Sequence, residues 1–411
     1  MAIESGALWR ACCVASCVRG LVSVFIVALL APGFITTANA QQSTGSIRGT
    51  VEGSSSGVVV EVVDQSRGIS RTEAPGSDGE FRFDGLPTGA YEVNVLSGGA
   101  VVDSEMVNVT LGGTVDLRMA TTQEMVEEIV TTGRRMSALD TSIAESGLVI
   151  DSEEVIKLPV QRDITSVAML APGASLGDYR FGRNGQVNGV ISFSGASIAE
   201  NTTFINGLNT TNFRTGVGFS EVPFEFYDTF QIKTGGYSAK YGRSLGGVMN
   251  ARSKSGSNDF KAGFNVYYQA QTDESPDTYL AFNELDNDDN TTLDAYISGP
   301  IIKDRLFYYV LYSDNNREQY YAASQEGRAY DYSVDEGFWG AKIDAFITDD
   351  HHIEATAFTD TRTGVEGTFG FDPTTGQQGA YTGDTNYEEG GDNWIATYTG
   401  NLGNSITLTA S

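Results

Sequence analysis

The feature that most constrains this 411-residue sequence is a two-residue alternation running through its last third. Phe260, Ala262, Phe264, Val266, Tyr268 and Ala270 fall on one face, and Lys261, Gly263, Asn265, Tyr267 and Gln269 on the other. Successive side chains of a strand point to opposite faces, so this pattern reads as a strand with one apolar side. It recurs where Leu293, Ala295 and Ile297 alternate with Asp294, Tyr296 and Ser298, and where Trp339, Ala341, Ile343, Ala345 and Ile347 alternate with Gly340, Lys342, Asp344 and Phe346. Ile353 to Thr359, Trp394 to Thr399 and Ile406 to Ala410 continue it. Strands of roughly ten residues with one apolar face are the pattern of a transmembrane barrel; soluble strands average only about five or six. Lipid offers no hydrogen bonds, so such strands must pair edge to edge. Lys303-Asp304-Arg305 reads as a polar turn, and Leu306 to Tyr312 is aromatic enough for a membrane interface. Residues 257–411 are therefore expected to be transmembrane β-strands, about seven of them. After residue 40 no segment is long and apolar enough for a transmembrane helix, which needs about 20 residues.

The N-terminus reads as an export signal. Arg10 and Arg19 precede an apolar run from Leu21 to Leu30, which is followed by Pro32-Gly33 and Ala38-Asn39-Ala40. That order predicts a signal peptide over 1–40, cleaved after Ala40. The three cysteines, Cys12, Cys13 and Cys17, lie inside it, so the mature chain is expected to have no disulfide, thiolate metal site or cysteine nucleophile. The only histidines, His351 and His352, are adjacent and would point to opposite faces of a strand, so they read as structural. The usual zinc and Ser/His/Asp constellations are missing. No catalytic residue, metal or cofactor is expected, and the chain does not read as an enzyme. A net charge of −27 argues against nucleic acid as a partner. Acidic runs such as Asp286-Asn287-Asp288-Asp289 read as solvated loops and lack calcium-loop spacing.

Residues 43–120 read as short strands between turns. Candidate strands are Ser46 to Val51, Gly57 to Val63, a stretch with Phe81 and Phe83 inward, one with Tyr91, Val93 and Val95 inward, and Met106 to Leu111 or on towards Leu117. Regular turn signals between them suggest a small β-sandwich. The pattern Asp78-Gly79-x-Phe81-x-Phe83-x-x-Leu86-Pro87-x-Gly89-x-Tyr91 resembles the carboxypeptidase regulatory-like domain, a carbohydrate-binding-like, transthyretin-like sandwich. The glycines suit turns and the aromatics a core, so no active site is assigned there.

Residues 121–135 form a connector containing Glu127-Glu128-Ile129-Val130-Thr131-Thr132-Gly133. This is either an ordinary linker or, given its β-branched run, a segment able to add itself to a partner's sheet edge. Residues 137–256 are mixed. Ser152 to Leu158 reads as a helix capped by Ser152, and Asp163 to Leu170 as a second that stops before Pro172-Gly173. Strand-like pieces follow at Gly189 to Phe193, Thr203 to Ile205, Phe230 to Thr234 and Gly247 to Arg252.

Four strings in this region carry a specific resemblance. They are Leu158-Pro159-Val160 with Asp163-Ile164 and Pro172-Gly173; Asn206-Gly207-Leu208-Asn209-Thr210-Thr211; Gly235-Gly236-Tyr237-Ser238-Ala239-Lys240-Tyr241-Gly242-Arg243 running on to Asn250; and Ser253-Lys254-Ser255-Gly256-Ser257-Asn258-Asp259-Phe260. In this order they resemble the plug domain, and the entry into the barrel, of a TonB-dependent outer-membrane receptor of the Oar-like branch. The resemblance implies a mainly β fold: the sandwich, an α+β plug over 137–256, and the first strands of a barrel of about 22 strands. The chain is expected to be an N-terminal fragment of a longer receptor, since a partial barrel leaves open edges in lipid. The resemblance also places a TonB box in the connector, at Glu128, Ile129, Val130, Thr131 and Thr132. It makes Arg162 and Arg243 candidates for plug–barrel contacts. The implied partners are TonB with the inner-membrane ExbB-ExbD motor, outer-membrane lipid and an imported substrate from a family range of siderophores, cobalamin, saccharides and peptides. Residues 43–135 would be periplasmic. A competing reading is a surface carbohydrate-binding or adhesion β-protein, although the sandwich has no obvious aromatic binding platform.

Overall fold

A computed structural model describes residues 44–53, 57–121, 145–177, 191–212, 216–242, 244–272, 287–323, 326–403 and 406–411. All of these belong to one compact unit, Ala40–Ser411. The signal segment, the TonB-box segment Glu128 to Thr132 and Arg243 lie outside the described residues.

The first seven strands make the sandwich: β1 (Thr44–Glu52), β2 (Val58–Asp64), β3 (Ile69–Glu73), β4 (Glu80–Pro87), β5 (Gly89–Ser97), β6 (Ala100–Val109) and β7 (Thr114–Ala120). One sheet has the order β4-β1-β7 and the other β3-β2-β5-β6. Ile47, Val60, Phe81, Phe83, Leu86, Tyr91 and Val93 fill the space between them, as the alternation requires. Gly79 sits at φ +79, where a Cβ would come within 2.6 Å of the Val51 carbonyl, so the Asp78-Gly79 turn needs glycine. The Tyr91 hydroxyl donates to the Pro87 carbonyl at 2.8 Å, pinning the turn between β4 and β5. Two details differ from the sequence reading. The stretch expected to be one final strand is two, β6 and β7, split by a turn at Leu111-Gly112. Strand β3 was not expected, because Ile-Ser-Arg-Thr-Glu carries a single apolar residue.

The middle region holds a five-stranded sheet of order β12-β11-β14-β13-β8. Its strands are β8 (Ser146–Asp151), β11 (Thr202–Ile205), β12 (Leu208–Asn209), β13 (Tyr227–Gly235) and β14 (Val248–Ser253). A small hairpin of β9 (Ala174–Leu176) and β10 (Ile191–Phe193) lies beside it. Two short helices follow β8: α1 (Ser152–Val155) and α2 (Ile164–Ala168). In the first, Ser152 is the first helical residue and not the cap; Asp151 takes the cap position without a side-chain capping bond. The second starts one residue later than read, at Ile164, with the Asp163 carboxylate as its cap, accepting from the Ser166 amide at 2.8 Å.

The remaining strands form one open antiparallel sheet bounded by β15 (Lys261–Thr272) and β23 (Ile406–Ala410). Between them run β16 (Asn287–Ile302), β17 (Leu306–Ala323) and β18 (Arg328–Thr348), up to 21 residues long. The next two long strands are each interrupted once. β19 (His351–Thr359) and β20 (Arg362–Asp372) both pair with β18, and β21 (Gln377–Glu389) and β22 (Asp392–Leu402) return beside them. The alternation is realised as read. Phe264, Val266, Tyr268, Ile343 and Ile347 are exposed on the outer face, while Phe307, Tyr309, Leu311, Lys342, Asp344 and Phe346 are buried on the inner one.

Candidate functional site

The middle region packs against the inner face of this strand wall, and the contact has an apolar part and a charged part. The apolar part centres on Phe226. Its ring lies 5.4 Å from Phe338, 6.0 Å from Phe358 and 6.2 Å from Tyr309, all wall residues. Gly340, on the same face, admits the ring: a Cβ there would come within 2.6 Å of it. Burying a phenylalanine stabilises by about 1.5–3 kcal/mol, so Phe226 is a substantial anchor.

The charged part is built by β14, β18 and β19. Register pairs Asp344 with Glu354 and Phe346 with His352 across the β18–β19 hairpin, which sets four inward side chains in two rows. Lys342 stands in line with them, next but one to Asp344. Arg252, at the end of β14, enters from the middle region. Its guanidinium meets the Glu354 carboxylate at 3.0 Å, and the Lys342 ammonium meets the other oxygen of the same carboxylate at 2.9 Å. Lys342 lies 3.9 Å from Asp344, and His352 Nε2 lies 3.3 Å from Asp344. Arg252 is 1 % exposed and Lys342 0 %, so neither charge is relieved by solvent. Buried ions cost several kcal/mol each unless paired, and here two cations face two carboxylates. Asp344, His352 and Glu354 also place three ligand atoms within 4.8 Å of one another. That spacing could suit a metal ion, but the Lys342 ammonium already provides the cation between the two carboxylates, and the residues do not fit an added one.

Asn206 closes the cluster on its other side. The Asn206-Gly207 turn between β11 and β12 has φ +49 and +86, a left-handed pair that asparagine and glycine tolerate best. The Asn206 side chain donates to Ser253 Oγ at 2.6 Å and to Thr356 Oγ1 of the wall at 2.9 Å, and accepts from the Ser253 amide at 2.9 Å. The motif therefore needs asparagine for both backbone and side chain. The Gly246-Gly247 pair has a packing reason: a Cβ on Gly247 would lie 2.1 Å from the Phe193 ring.

Arg162 sits elsewhere on the contact. It stacks over Tyr267 of β15 at 4.5 Å, hydrogen-bonds the Tyr267 hydroxyl and lies 3.6 Å from Glu225. Tyr267 in turn donates to Glu225 at 2.8 Å, and Lys254 meets the other Glu225 oxygen at 3.2 Å. Among the described residues, the acid paired with Arg162 thus comes from the middle region itself. At the opposite end of the sheet, Arg362 of β20 bridges Glu221 of the middle region at 3.2 Å and Glu389 at 2.9 Å. His351 and His352 do point apart, His351 to the Tyr398 hydroxyl at 2.7 Å and His352 into the charge cluster. Sequence reasoning missed Arg252, Lys342, Asp344, His352 and Glu354 as a group. The available signal was charge at alternate, inward positions on two strands joined by a tight turn.

Known proteins share parts of this architecture. Residues 140–248 match the TonB-dependent Receptor Plug Domain. The TonB-dependent transporter Oar of Myxococcus xanthus is 26% identical over 304 residues, which is 68% of this chain and 28% of Oar. The chain therefore spans under a third of that relative's length. Among solved structures, the siderophore receptor PirA from Acinetobacter baumannii is 21% identical with a TM-score of 0.45, covering 63% of this chain and 38% of that one. The ferric enterobactin receptor PfeA from Pseudomonas aeruginosa, in a mutant form, is 14% identical with a TM-score of 0.42 over the same shares, 63% and 38%. The plug match and the similarity to Oar show that residues 140–248 are a TonB-dependent receptor plug domain, carried by a chain similar to the Oar transporter.

Proposed function

We propose that this chain is the N-terminal part of a receptor that imports a substrate across the outer membrane of a Gram-negative bacterium, driven by TonB and the ExbB-ExbD motor. The observation that carries the reading is the plug–wall contact. Beside the Phe226 anchor, a domain is held against a strand wall by a few ionic and polar links from Arg252, Asn206 and Arg162, and such links can be broken and remade in water. The apolar outer face of the wall meets lipid. The sandwich lies at the end of the wall bearing the short turns at 303–305 and 349–350, which in barrels of this type is the periplasmic end. TonB would pair as an added strand with the segment Glu128, Ile129, Val130, Thr131 and Thr132 between sandwich and plug. Arg162 and Arg243 remain candidates for contacts that hold the plug in the completed barrel.

The test uses the full-length receptor in its own cells. Ile129→Pro and Val130→Pro each remove a backbone donor from the pairing strand. Each is expected to abolish substrate uptake while leaving outer-membrane levels unchanged, and uptake that survives both would overturn the assignment. A growth screen of a deletion strain on defined nutrients, siderophores and peptides included, would identify the substrate.

A further inference from the structure

The charge cluster is closed from the short-turn end by the sandwich. Ile69, at the start of β3, takes no part in the sandwich's own core. It packs instead with Phe307 and Phe346 of the wall, which are 0 % and 6 % exposed. Phe346 stacks on His352 with ring centres 4.3 Å apart, and His352 reaches Asp344. An unbroken line of contacts thus runs from Ile69 through Phe346, His352, Asp344 and Lys342 to Glu354 and the plug's Arg252.

The turn before β3 is built to sit there. Asn258, just ahead of the wall's first strand, donates its amide to the Ser66 carbonyl at 3.0 Å and its side chain to the Arg67 carbonyl at 2.7 Å. It also bonds Asp304 at 2.7 Å. Gly68 faces Asp304 so closely that a Cβ would come within 2.4 Å of the carboxylate. Arg71 meets Asp350 at 3.2 Å. Arg67 pairs with Asp64 at 2.6 Å and is itself buried. Burial works against its charge, but Asp64 and the cluster's own Asp344 more than offset this and hold its pKa above the ordinary value. On the plug side, Gln231 donates to the Leu111 carbonyl at 2.6 Å. A small cavity of ≈ 30 Å³ lies between sandwich and wall, bordered by Ile69, Arg71, Phe346 and His352.

We propose that the sandwich is a docked brace that seals the plug–wall charge cluster from water, so that its undocking loosens the plug. The physical ground is dielectric. The Arg252–Glu354–Lys342 attraction is strong only while water is excluded, and an open Phe346 edge would hydrate it. The proposal takes its purpose from the transport reading but is tested without it, so the two can fail separately.

The test is hydrogen–deuterium exchange on the purified full-length receptor in detergent, with no TonB and no substrate. Ile69→Asp places a charge against Phe307 and Phe346. It is expected to speed exchange at residues 248–253 by about tenfold or more, a local opening and not global unfolding. Residues 58–64 and 89–97 of the sandwich should keep their protection. Unchanged exchange at 248–253 would overturn the proposal. If the substitution unfolds the sandwich instead, a Ser66→Cys, Asn258→Cys pair decides the matter. A backbone hydrogen bond already joins these residues, and the sequence has no cysteine after residue 17. In mild urea the oxidised pair should protect 248–253 better than the reduced pair, whereas failure to cross-link, or equal protection in both states, would overturn the brace.

Discussion

The sandwich core and the plug–wall contact are both buried, and they differ in how much charge they bury. The sandwich closes over Ile47, Val60, Phe83 and Val93, and its one described buried ion pair, Asp64 with Arg67, lies at the edge that faces the wall. The plug–wall contact buries Arg252, Lys342, Asp344 and Glu354 beside the Phe226 aromatic group. A hydrocarbon core gains its stability without partners and tolerates loss of one member by leaving a cavity. A buried ion cluster is balanced only while every member is present, because each charge depends on another for its solvation. The first suits a domain that stays folded. The second suits a contact that must be specific when closed and separable when opened, since its groups are well solvated once apart.

The largest expected effect comes from taking one member out of the cluster. Glu354→Ala leaves Arg252 and Lys342 buried without a carboxylate between them and is expected to weaken plug retention by about 3–5 kcal/mol. Urea-induced plug release, followed by limited proteolysis in the full-length receptor, would measure it. Phe83→Ala in the sandwich has a similar gross cost, about 3–5 kcal/mol. Its loss should appear as melting of residues 44–121 with the plug still retained. If both substitutions gave the same unfolding pattern, the distinction between the two regions would fail.

Arg162→Ala should matter less. Arg162 is 40% exposed, and its stacking on Tyr267 is the partly solvated kind, worth about 0.5–1 kcal/mol. The same release assay should show a small shift, with Arg162→Lys recovering little of it, because an ammonium lacks the flat face that stacks.

The smallest effect concerns pH. Asp151, where β8 meets α1, has its carboxyl raised above the ordinary value by burial, with the Thr229 hydroxyl bond acting the other way. A carboxyl with a raised folded-state pKa binds its proton more readily in the folded protein. Its contribution therefore favours folding at low pH and is lost as pH rises above the ordinary carboxylate value of about 4. Asp151→Asn is expected to raise plug stability slightly at neutral pH and to flatten its pH dependence just above that value. A destabilised variant at neutral pH would show that the carboxylate is needed in its charged form.

How much of this was legible in the sequence follows from the range of the contacts. The wall was legible because alternation is local: Trp339 to Ile347 fixes which side chains share a face without knowledge of the neighbours. The same reasoning put Lys342 and Asp344 on the polar side and separated His351 from His352. The cluster was not legible, because Arg252 lies 102 positions from Glu354 and nothing local to either names the other. Strand β3 was missed because its one apolar residue, Ile69, faces another part of the chain and leaves no period in its own segment. The Asn206-Gly207 and Gly246-Gly247 strings were recognised as motifs. Their reasons, a left-handed turn with a bridging side chain and a glycine pressed on Phe193, needed the fold.

The most direct test of the account is a double-mutant cycle across the plug–wall contact, with Arg252→Met, Glu354→Leu and the pair, measured as the free energy of plug release in urea. The single changes should each be strongly destabilising and the pair much less so than their sum, with a coupling of about 1–3 kcal/mol. Additivity within about 0.5 kcal/mol would mean that the two residues do not hold the plug to the wall together.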